Sequence, residues 1–240
     1  MKNFIFILCM SVILFASYTG IRSSSASTKV INLVALGDSI TYGVGDPAKK
    51  GYIEEVKVKL EDLQNIPVKL SNFAVPRYST GKVLAQLQDK KITAQIKQAN
   101  YIILFIGTND FRKSANYQFN ALDVEKINEG KVSFITNLNK ILETIRKENP
   151  WAPIFVLGLY QPYVECSNHK EILSTITDWN NGIIKVAGNF ERTSFVPTID
   201  LFQDKPKGTY FSDSLHPNPA GYDLIANRLS EKVIKVISSN

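Results

Sequence analysis

The chain has 240 residues, of which 44% are hydrophobic and 21% are charged. These proportions are typical of a globular protein, and the length suits one domain with a sizeable core. The formal net charge of +6 comes from 28 basic and 22 acidic residues. The densest basic runs are the pairs Lys49–Lys50 and Lys90–Lys91, which are too short to form a nucleic-acid tract. We therefore expect no nucleic-acid partner.

An apolar segment follows Lys2 near the start of the sequence. Residues 4–16 are apolar except for one serine, a length that matches the hydrophobic region of a secretory signal peptide and falls short of a membrane span of about 20 residues. Small residues follow, with a cleavage site expected near Ala26. We expect residues 1–27 to be a signal peptide or, alternatively, an uncleaved anchor, so that the protein is secreted or anchored on the outside of the membrane. Residues 28–240 are predicted to form one domain.

Cys166 is the only cysteine beyond this N-terminal segment, so the predicted domain has no internal disulfide. His169 follows three residues later. A metal site needs more ligands than these two side chains. Cys166 is therefore predicted to be a loop or packing residue and not a metal ligand or a nucleophile.

The rest of the sequence alternates between predicted strands and helices. Short apolar runs without polar alternation predict strands that are buried on both faces, whereas residues 68–73 alternate between apolar and polar and so predict a strand of a different kind. The predicted strands cover residues 30–36, 68–73, 101–106, 154–157 and 193–199. The predicted helices cover residues 52–63, 83–87, 92–99, 124–147, 172–186 and 220–237, with loops that include 42–50, 74–80, 111–122 and 158–170. Such alternation favours an α/β fold in which helices cover both faces of a five-stranded parallel sheet.

Ser39 lies directly after the first predicted strand, behind Gly37 and Asp38. The carboxyl ends of parallel strands are where ligands bind, so a serine there is well placed for chemistry. The alternative is that Ser39 or Thr41 caps the next helix, a position that Ser and Thr favour. This stretch alone favours the cap.

His216 and Asp213 offer the base that such a serine needs. A histidine is the most common general base near neutral pH. A carboxylate three residues earlier can reach one ring nitrogen within a single turn, which leaves the other nitrogen free for a nucleophile. Asn109 supplies an amide donor after another predicted buried strand.

Four short blocks of the sequence resemble the GDSL/SGNH family of serine esterases and lipases. The likeness extends over about residues 30–230 and is greatest to the exported acylhydrolases of Gram-positive bacteria. Each block alone is weak, but four in the right order form a strong signal. The blocks are GDSIT at 37–41, NFAV at 72–75, GTND at 107–110 and DSLHP at 213–217.

This resemblance implies a three-layer α/β/α, flavodoxin-like fold and hydrolysis through an acyl-enzyme. It implies that Ser39 is the nucleophile, that His216 is the base and then the acid, and that Asp213 orients His216. The oxyanion would bind to the backbone N–H of Ser39, the side-chain amide of Asn109 and a backbone N–H in the second block. It implies no metal and no organic cofactor.

Arg77 departs from the family pattern, because it aligns with a glycine that donates a backbone N–H to the oxyanion. Arginine still has that N–H, but it would be strained if the position requires a positive φ. Arg77 therefore either completes the oxyanion hole or leaves it with two donors. Its guanidinium is also a candidate to bind an anionic part of the substrate, such as a phospholipid head group.

The leading interpretation is an exported serine esterase or lipase that acts on small-molecule or lipid acyl esters, lysophospholipids included. One alternative keeps the same triad but hydrolyses O-acetyl groups on a polysaccharide. Another is a non-catalytic surface-binding protein on the same scaffold. Association with a membrane surface stays open, and the sequence gives no oligomeric state. Aromatic residues in two predicted loops suit a hydrophobic acyl pocket, although aromatics also stack on sugars; they are Phe111, Tyr117, Phe119, Tyr160 and Tyr163.

Overall fold

The computed structural model describes residues 29–238. The expected signal peptide or anchor, residues 1–27, lies outside this range. Of the helices within the range, none is both long and apolar enough to cross a membrane. The strands are β1 (Ile31–Gly37), β2 (Val68–Asn72), β3 (Tyr101–Phe105), β4 (Ile154–Leu157) and β5 (Thr193–Val196). The helices are α1 (Ser39–Tyr42), α2 (Gly51–Gln64), α3 (Thr80–Gln86), α4 (Lys90–Gln98), α5 (Thr108–Ser114), α6 (Val124–Glu148), α7 (His169–Gly188), α8 (Lys207–Tyr210) and α9 (Pro219–Ser238).

The strands form one parallel sheet in the order β2-β1-β3-β4-β5. This is the flavodoxin-like order, in which the chain first extends the sheet to one side of β1 and then to the other. In the register, Ala35 of β1 pairs with Asn72 of β2 and Ile103 of β3. The order places β1 and β3 side by side at the point where the direction of winding reverses.

Successive residues of a strand point to opposite sides of the sheet. The central strands β1, β3 and β4 are buried at nearly every position, so both faces of the sheet are covered there. In β1, Leu33 and Ala35 pack under α2 and α9, whereas Val34 and Leu36 pack on the opposite face under α3, α4, α6 and α7. These four side chains are at most 1% exposed. The prediction of a three-layer α/β/α fold is thus confirmed.

Three short helices were absent from the prediction. Helix α1 starts at Ser39, α8 lies in the predicted loop after residue 200, and α5 extends to Ser114 within a stretch predicted as loop. The expectation that residues 111–122 form a loop throughout is therefore wrong for the first four of them. A helix of only seven residues shows too little periodicity to be recognised, and α5 is held by the burial of Phe111.

Strand β5 ends three residues earlier than predicted. The prediction continued to Ile199, but pairing with β4 stops at Val196. Pro197 follows, and proline has no N–H to donate to a neighbouring strand. Thr198 instead donates its hydroxyl to the carbonyl of Gly158 at 2.7 Å, which fixes the chain beyond the strand end.

Candidate active site

The site lies at the carboxyl ends of β1 and β3, the neighbouring strands at the reversal point of the sheet. Ser39 follows β1, and Asn109 lies in the first turn of α5 after β3. Parallel α/β sheets form ligand-binding crevices at this position, because the connections from the two strands run to opposite faces and leave a gap. The topology alone therefore brings these two distant residues together.

The helix cap next to the candidate nucleophile is Asp38. Its carboxylate accepts a hydrogen bond from the N–H of Ile40 at 3.0 Å, so Ser39 is the first residue of α1 and not its cap. The cap interpretation of Ser39 and Thr41 is therefore wrong. A Cβ at Gly37 would overlap the carbonyl oxygen of Phe105, so only glycine lets β1 turn this close to β3.

Ser39, His216 and Asp213 form one continuous series of hydrogen bonds. The Nε2 atom of His216 lies 3.0 Å from the hydroxyl oxygen of Ser39. Its Nδ1 atom lies 2.7 Å from a carboxylate oxygen of Asp213. These contacts join residues that are 177 positions apart in the sequence. The serine is 6% exposed, so its hydroxyl faces a small opening at the protein surface.

The loop that carries the histidine is fixed by its own backbone. The other carboxylate oxygen of Asp213 accepts hydrogen bonds from the N–H groups of Leu215 and His216, both at 2.7 Å. The buried hydroxyl of Tyr160 donates to the carbonyl of Leu215 at 2.8 Å. The turn and the imidazole beside it are therefore held from two sides.

The carboxyl group of Asp213 stays ionised more readily than an ordinary aspartate. Partial burial acts to raise its pKa, but hydrogen bonds from the backbone and ring of His216 and the N–H of Leu215 outweigh this, so the pKa is lowered. An ionised Asp213 fixes the proton on Nδ1 of His216, which makes Nε2 the free acceptor for the serine proton.

Asn109 projects its side-chain amide into the same site. Its Nδ2 atom donates to the carbonyl of Tyr78 at 2.9 Å and lies 3.3 Å from a carboxylate oxygen of Asp38. Burial raises the pKa of Asp38 to about 7, so this carboxyl group is partly protonated at neutral pH. The amide is thus oriented by one good hydrogen bond and one long one.

Arg77 has a positive φ of 68°, the left-handed conformation that favours glycine. This is the conformation in which an arginine at this position was expected to be strained. Two contacts hold the preceding segment against the nucleophile: Asn72 donates its side-chain amide to the carbonyl of Thr41 at 3.0 Å, and Val75 donates its N–H to the carbonyl of Gly37 at 3.2 Å. The backbone N–H groups of Arg77 and Ser39 donate to no protein acceptor within residues 29–238.

A cleft of about 640 Å³ opens above Ser39 and His216. Its wall includes Arg77 and Asn109, together with Tyr117, which is 54% exposed. These residues come from three loops and from the first turns of α1 and α5. The predicted oxyanion residues therefore line the same cleft as Ser39 and His216, whereas Asp213 lies behind His216 and does not line it.

The aromatic acyl pocket expected from the two loops is absent from the described residues. Of the five candidates, only Tyr117 lines the cleft. Phe111 and Tyr163 are buried in the core, and Phe119 stacks on Tyr163 with ring centroids 3.9 Å apart. Tyr160 lies in the core on the opposite face of the sheet. The prediction was wrong because large apolar side chains gain more from packing on one another than from lining an open cleft.

Two functional candidates were missed by the sequence analysis. Arg112 and Lys113 line the cleft from α5, where a loop was predicted to begin. A further contact, between the carboxylate of Asp110 and the backbone N–H of Thr80 at 2.9 Å, ties α5 to α3. The signal for Arg112 and Lys113, as for Asp110, was the run of charged residues after Asn109, which only Phe111 interrupts.

Cys166 is a partly buried loop residue that packs against the core, as predicted. The Nδ1 atom of His169 lies 3.1 Å from the carbonyl oxygen of Cys166 and not near its thiol. Across residues 29–238, no group of three or more His, Cys, Asp or Glu side chains is arranged to hold a metal ion.

Known proteins of related sequence and structure agree with this fold. The chain is 34% identical to the uncharacterized protein YpmR of Bacillus subtilis over 95% of both chains. It is 26% identical to the spore germination lipase LipC of Bacillus licheniformis over 83% of this chain and 94% of the relative. The crystal structure of the lipase Lip_vut3 from a goat rumen metagenome superposes with a TM-score of 0.74 at 26% identity, over 83% of this chain and 95% of that one.

The sequence profile of the GDSL-like Lipase/Acylhydrolase family matches residues 35–224. This range begins within β1, before Ser39, and ends within α9, after His216. Since the match extends over most of the chain and the related proteins include lipases, the chain belongs to the GDSL-like lipase/acylhydrolase family and is a serine ester hydrolase.

Proposed function

We propose that this protein is an exported esterase or lipase that cleaves carboxylic acyl esters through an acyl-enzyme on Ser39. The observation that carries the proposal is the hydrogen-bonded series from Asp213 through His216 to the hydroxyl of Ser39, with distances of 2.7 and 3.0 Å. A free serine hydroxyl is a weak nucleophile at neutral pH and needs an adjacent base. The series supplies that base and orients it.

In the acylation step, the hydroxyl oxygen of Ser39 attacks the ester carbonyl carbon while Nε2 of His216 accepts the hydroxyl proton. The ionised carboxylate of Asp213 stabilises the imidazolium that forms. Collapse of the tetrahedral intermediate breaks the bond to the alcohol oxygen. His216 then transfers its proton to this oxygen, and the alcohol leaves.

The negative charge on the tetrahedral intermediate would be stabilised by three donors. They are the N–H of Ser39, the N–H of Arg77 and the side-chain amide of Asn109. The two backbone donors have no protein acceptor within residues 29–238, so they need not break a bond in order to act. For Asn109, the oxyanion would replace the long 3.3 Å contact with Asp38.

In the deacylation step, His216 accepts a proton from a water molecule that attacks the acyl carbon. The ester bond to Ser39 then breaks, and the serine oxygen takes the proton from His216. The carboxylic acid is released, and the enzyme returns to its initial state. Each proton passes through Nε2, which lies 3.0 Å from the serine oxygen.

Export is supported by the composition of residues 4–16, an apolar segment of signal-peptide length after Lys2. Expression of the full chain in a Gram-positive host followed by N-terminal sequencing tests this. A mature protein that begins near residue 27 in the medium supports a cleaved signal peptide, and a full-length protein in the membrane fraction supports the anchor. Full-length protein in the cytosol contradicts both.

A fluorophosphonate probe and a p-nitrophenyl ester test the catalytic proposal. We expect the wild type to be labelled and to hydrolyse p-nitrophenyl butyrate, and Ser39→Ala to lose both properties with unchanged thermal unfolding. Ser133→Ala, which alters an exposed serine on α6, is the matched control. Labelling of Ser39→Ala at the wild-type rate would sink the assignment, and a wild type that is never labelled would favour a non-catalytic binding protein. Relative rates on butyrate, longer acyl and acetylated xylan esters separate an esterase or lipase from a polysaccharide O-acetylesterase.

A further inference from the structure

Three cationic side chains line one cleft beside the proposed nucleophile. Arg77 comes from the loop after β2, and Arg112 and Lys113 come from α5. No acidic side chain contributes to the wall of this cleft. The wall of this cleft therefore carries three positive charges and no negative charge, although the net charge of the whole chain is only +6.

None of these three cations has an ion-pair partner within residues 29–238. Some cations elsewhere in the described part of the chain are paired, for example Lys131 with Asp178 at 2.6 Å. The charges of Asp38 and Asp110 interact electrostatically with Arg112 and Lys113 respectively, but neither carboxyl group forms an ion pair with these cations. The carboxylate of Asp110 accepts from the N–H of Thr80, and that of Asp213 binds His216.

The cations are presented in different ways. The guanidinium of Arg112 lies 5.2 Å from the ring centroid of Tyr117, which restricts the orientation of this half-buried side chain. Lys113 and Arg77 are exposed and reach into solvent. A guanidinium with a fixed plane binds the oxygens of a phosphate in a defined direction, and flexible cations nearby add attraction.

We propose that the natural substrate is an ester whose alcohol or acyl part carries an anionic group, best matched by a phosphate, that Arg77, Arg112 and Lys113 bind while Ser39 attacks the ester carbonyl. This inference rests on the proposed function of the site. The phosphate takes no part in the reaction and leaves unchanged with its half of the ester. The same chemistry could be met in a lysophospholipid or in a small water-soluble phosphorylated ester.

The test compares matched esters that differ only in the phosphate: 1-butyrylglycerol with 1-butyrylglycerol 3-phosphate, and 1-oleoylglycerol with 1-oleoylglycerol 3-phosphate below its micelle concentration. The readout is the ratio of kcat/KM for the phosphorylated ester to that for the neutral one. Within each variant this ratio cancels any general change in activity. Three charges that each contribute about fivefold give an expected wild-type ratio of about 100 at low ionic strength, and this ratio should fall to roughly one in 0.5 M salt because added salt screens charges.

The variants are Arg77→Gln, Arg112→Gln, Lys113→Gln and the triple substitution. A unit charge at contact distance in water is worth about a fivefold change in affinity, so each single variant is expected to lower the ratio about fivefold and the triple to abolish the preference. Lys97→Gln is the control. Lys97 is an exposed cation on α4, which ends just before the start of β3 and so lies at the opposite edge of the sheet. Its ratio should equal that of the wild type.

A preference in the butyryl pair indicates a phosphorylated ester in general, and a preference confined to the oleoyl pair indicates a lysophospholipid. A wild-type ratio of one or less overturns the proposal, as does an unchanged ratio in the triple variant or an equal loss in Lys97→Gln. If the neutral esters are cleaved without any preference for phosphate, only this inference fails. If neither ester of a pair is cleaved and Ser39 is not labelled, the proposed function fails and this inference falls with it.

Discussion

Replacement of Arg77 by glycine is expected to stabilise the protein. Arg77 has a φ of 68°, and an L-residue with a side chain pays about 1–2 kcal/mol for a left-handed backbone. Glycine avoids this cost but has more freedom in the unfolded chain, which offsets about 0.4–1 kcal/mol. The exposed side chain has no hydrogen-bond or ion-pair partner within residues 29–238, so its removal breaks no such contact. The balance predicts an increase of about 0.8 kcal/mol in the free energy of unfolding, within a range of about 0–1.6 kcal/mol, or about 2–3 °C in Tm at the midpoint.

Urea unfolding followed by circular dichroism measures this difference. Ser79→Gly in the same loop is the matched control, because Ser79 has a negative φ of −102° and gains nothing from glycine. Because Ser79 is the N-cap of α3 and makes no side-chain cap bond, this control is expected to lose about a few tenths of a kcal/mol of stability. If Arg77→Gly loses as much as Ser79→Gly, the strain at Arg77 does not exist, and the structural match between Arg77 and the glycine of the family is refuted.

Three further predictions concern the site and its supports. Asn109→Ala is expected to lower kcat for p-nitrophenyl butyrate by about 10²–10³-fold, since it removes one oxyanion donor. Asp38→Asn is expected to change how stability depends on pH. Burial raises the pKa of Asp38 from 3.8 to about 7, so the unfolded chain releases this proton at lower pH than the folded one. The contribution of Asp38 to stability therefore falls as pH rises from 4 to 7. The wild type should therefore lose on the order of 2–4 kcal/mol relative to Asp38→Asn over that range in urea unfolding. Tyr160→Phe leaves the carbonyl of Leu215 without its donor and is expected to cost about 1–3 kcal/mol of stability and to lower kcat more than it raises KM.

Different results would contradict each of these. An unchanged kcat in Asn109→Ala would remove that residue from the oxyanion hole. A stability difference between wild type and Asp38→Asn that does not vary with pH would mean that Asp38 is ionised in the folded protein. A Tyr160→Phe variant with lower stability but unaltered kcat would limit Tyr160 to a structural role.

The sheet was predictable because its strands carry one simple signal. The runs around Leu33–Leu36 and Ile102–Phe105 are apolar at nearly every position, and only a strand covered on both faces requires that. The ends of the elements were less predictable because they depend on single contacts. Pro197 stops β5, for example, and Asp38 takes the cap position that a local rule gave to Ser39.

The candidate site was predictable to the extent that its residues are distinctive types in a known order. Asp213 and His216 are three positions apart, so a single turn joins them, but their approach to Ser39 depends on the docking of distant elements. The cleft wall was not predictable. Whether Phe111 packs inward or lines a pocket depends on which face of α5 meets the core, and no local pattern in seven residues records that choice.

Because the loop that carries His216 lies next to the C-terminal helix, esterase activity requires that this last helix has folded onto the domain. His216 lies just before α9, which packs against α2, and the hydroxyl of Tyr222 in α9 donates to the carbonyl of Val44 at 2.6 Å, beside the nucleophile. Until α9 docks, Ser39 has its turn and its neighbours but no base. A chain in which α9 has not yet packed against α2 would therefore be inactive, and catalysis would begin only when this packing is complete.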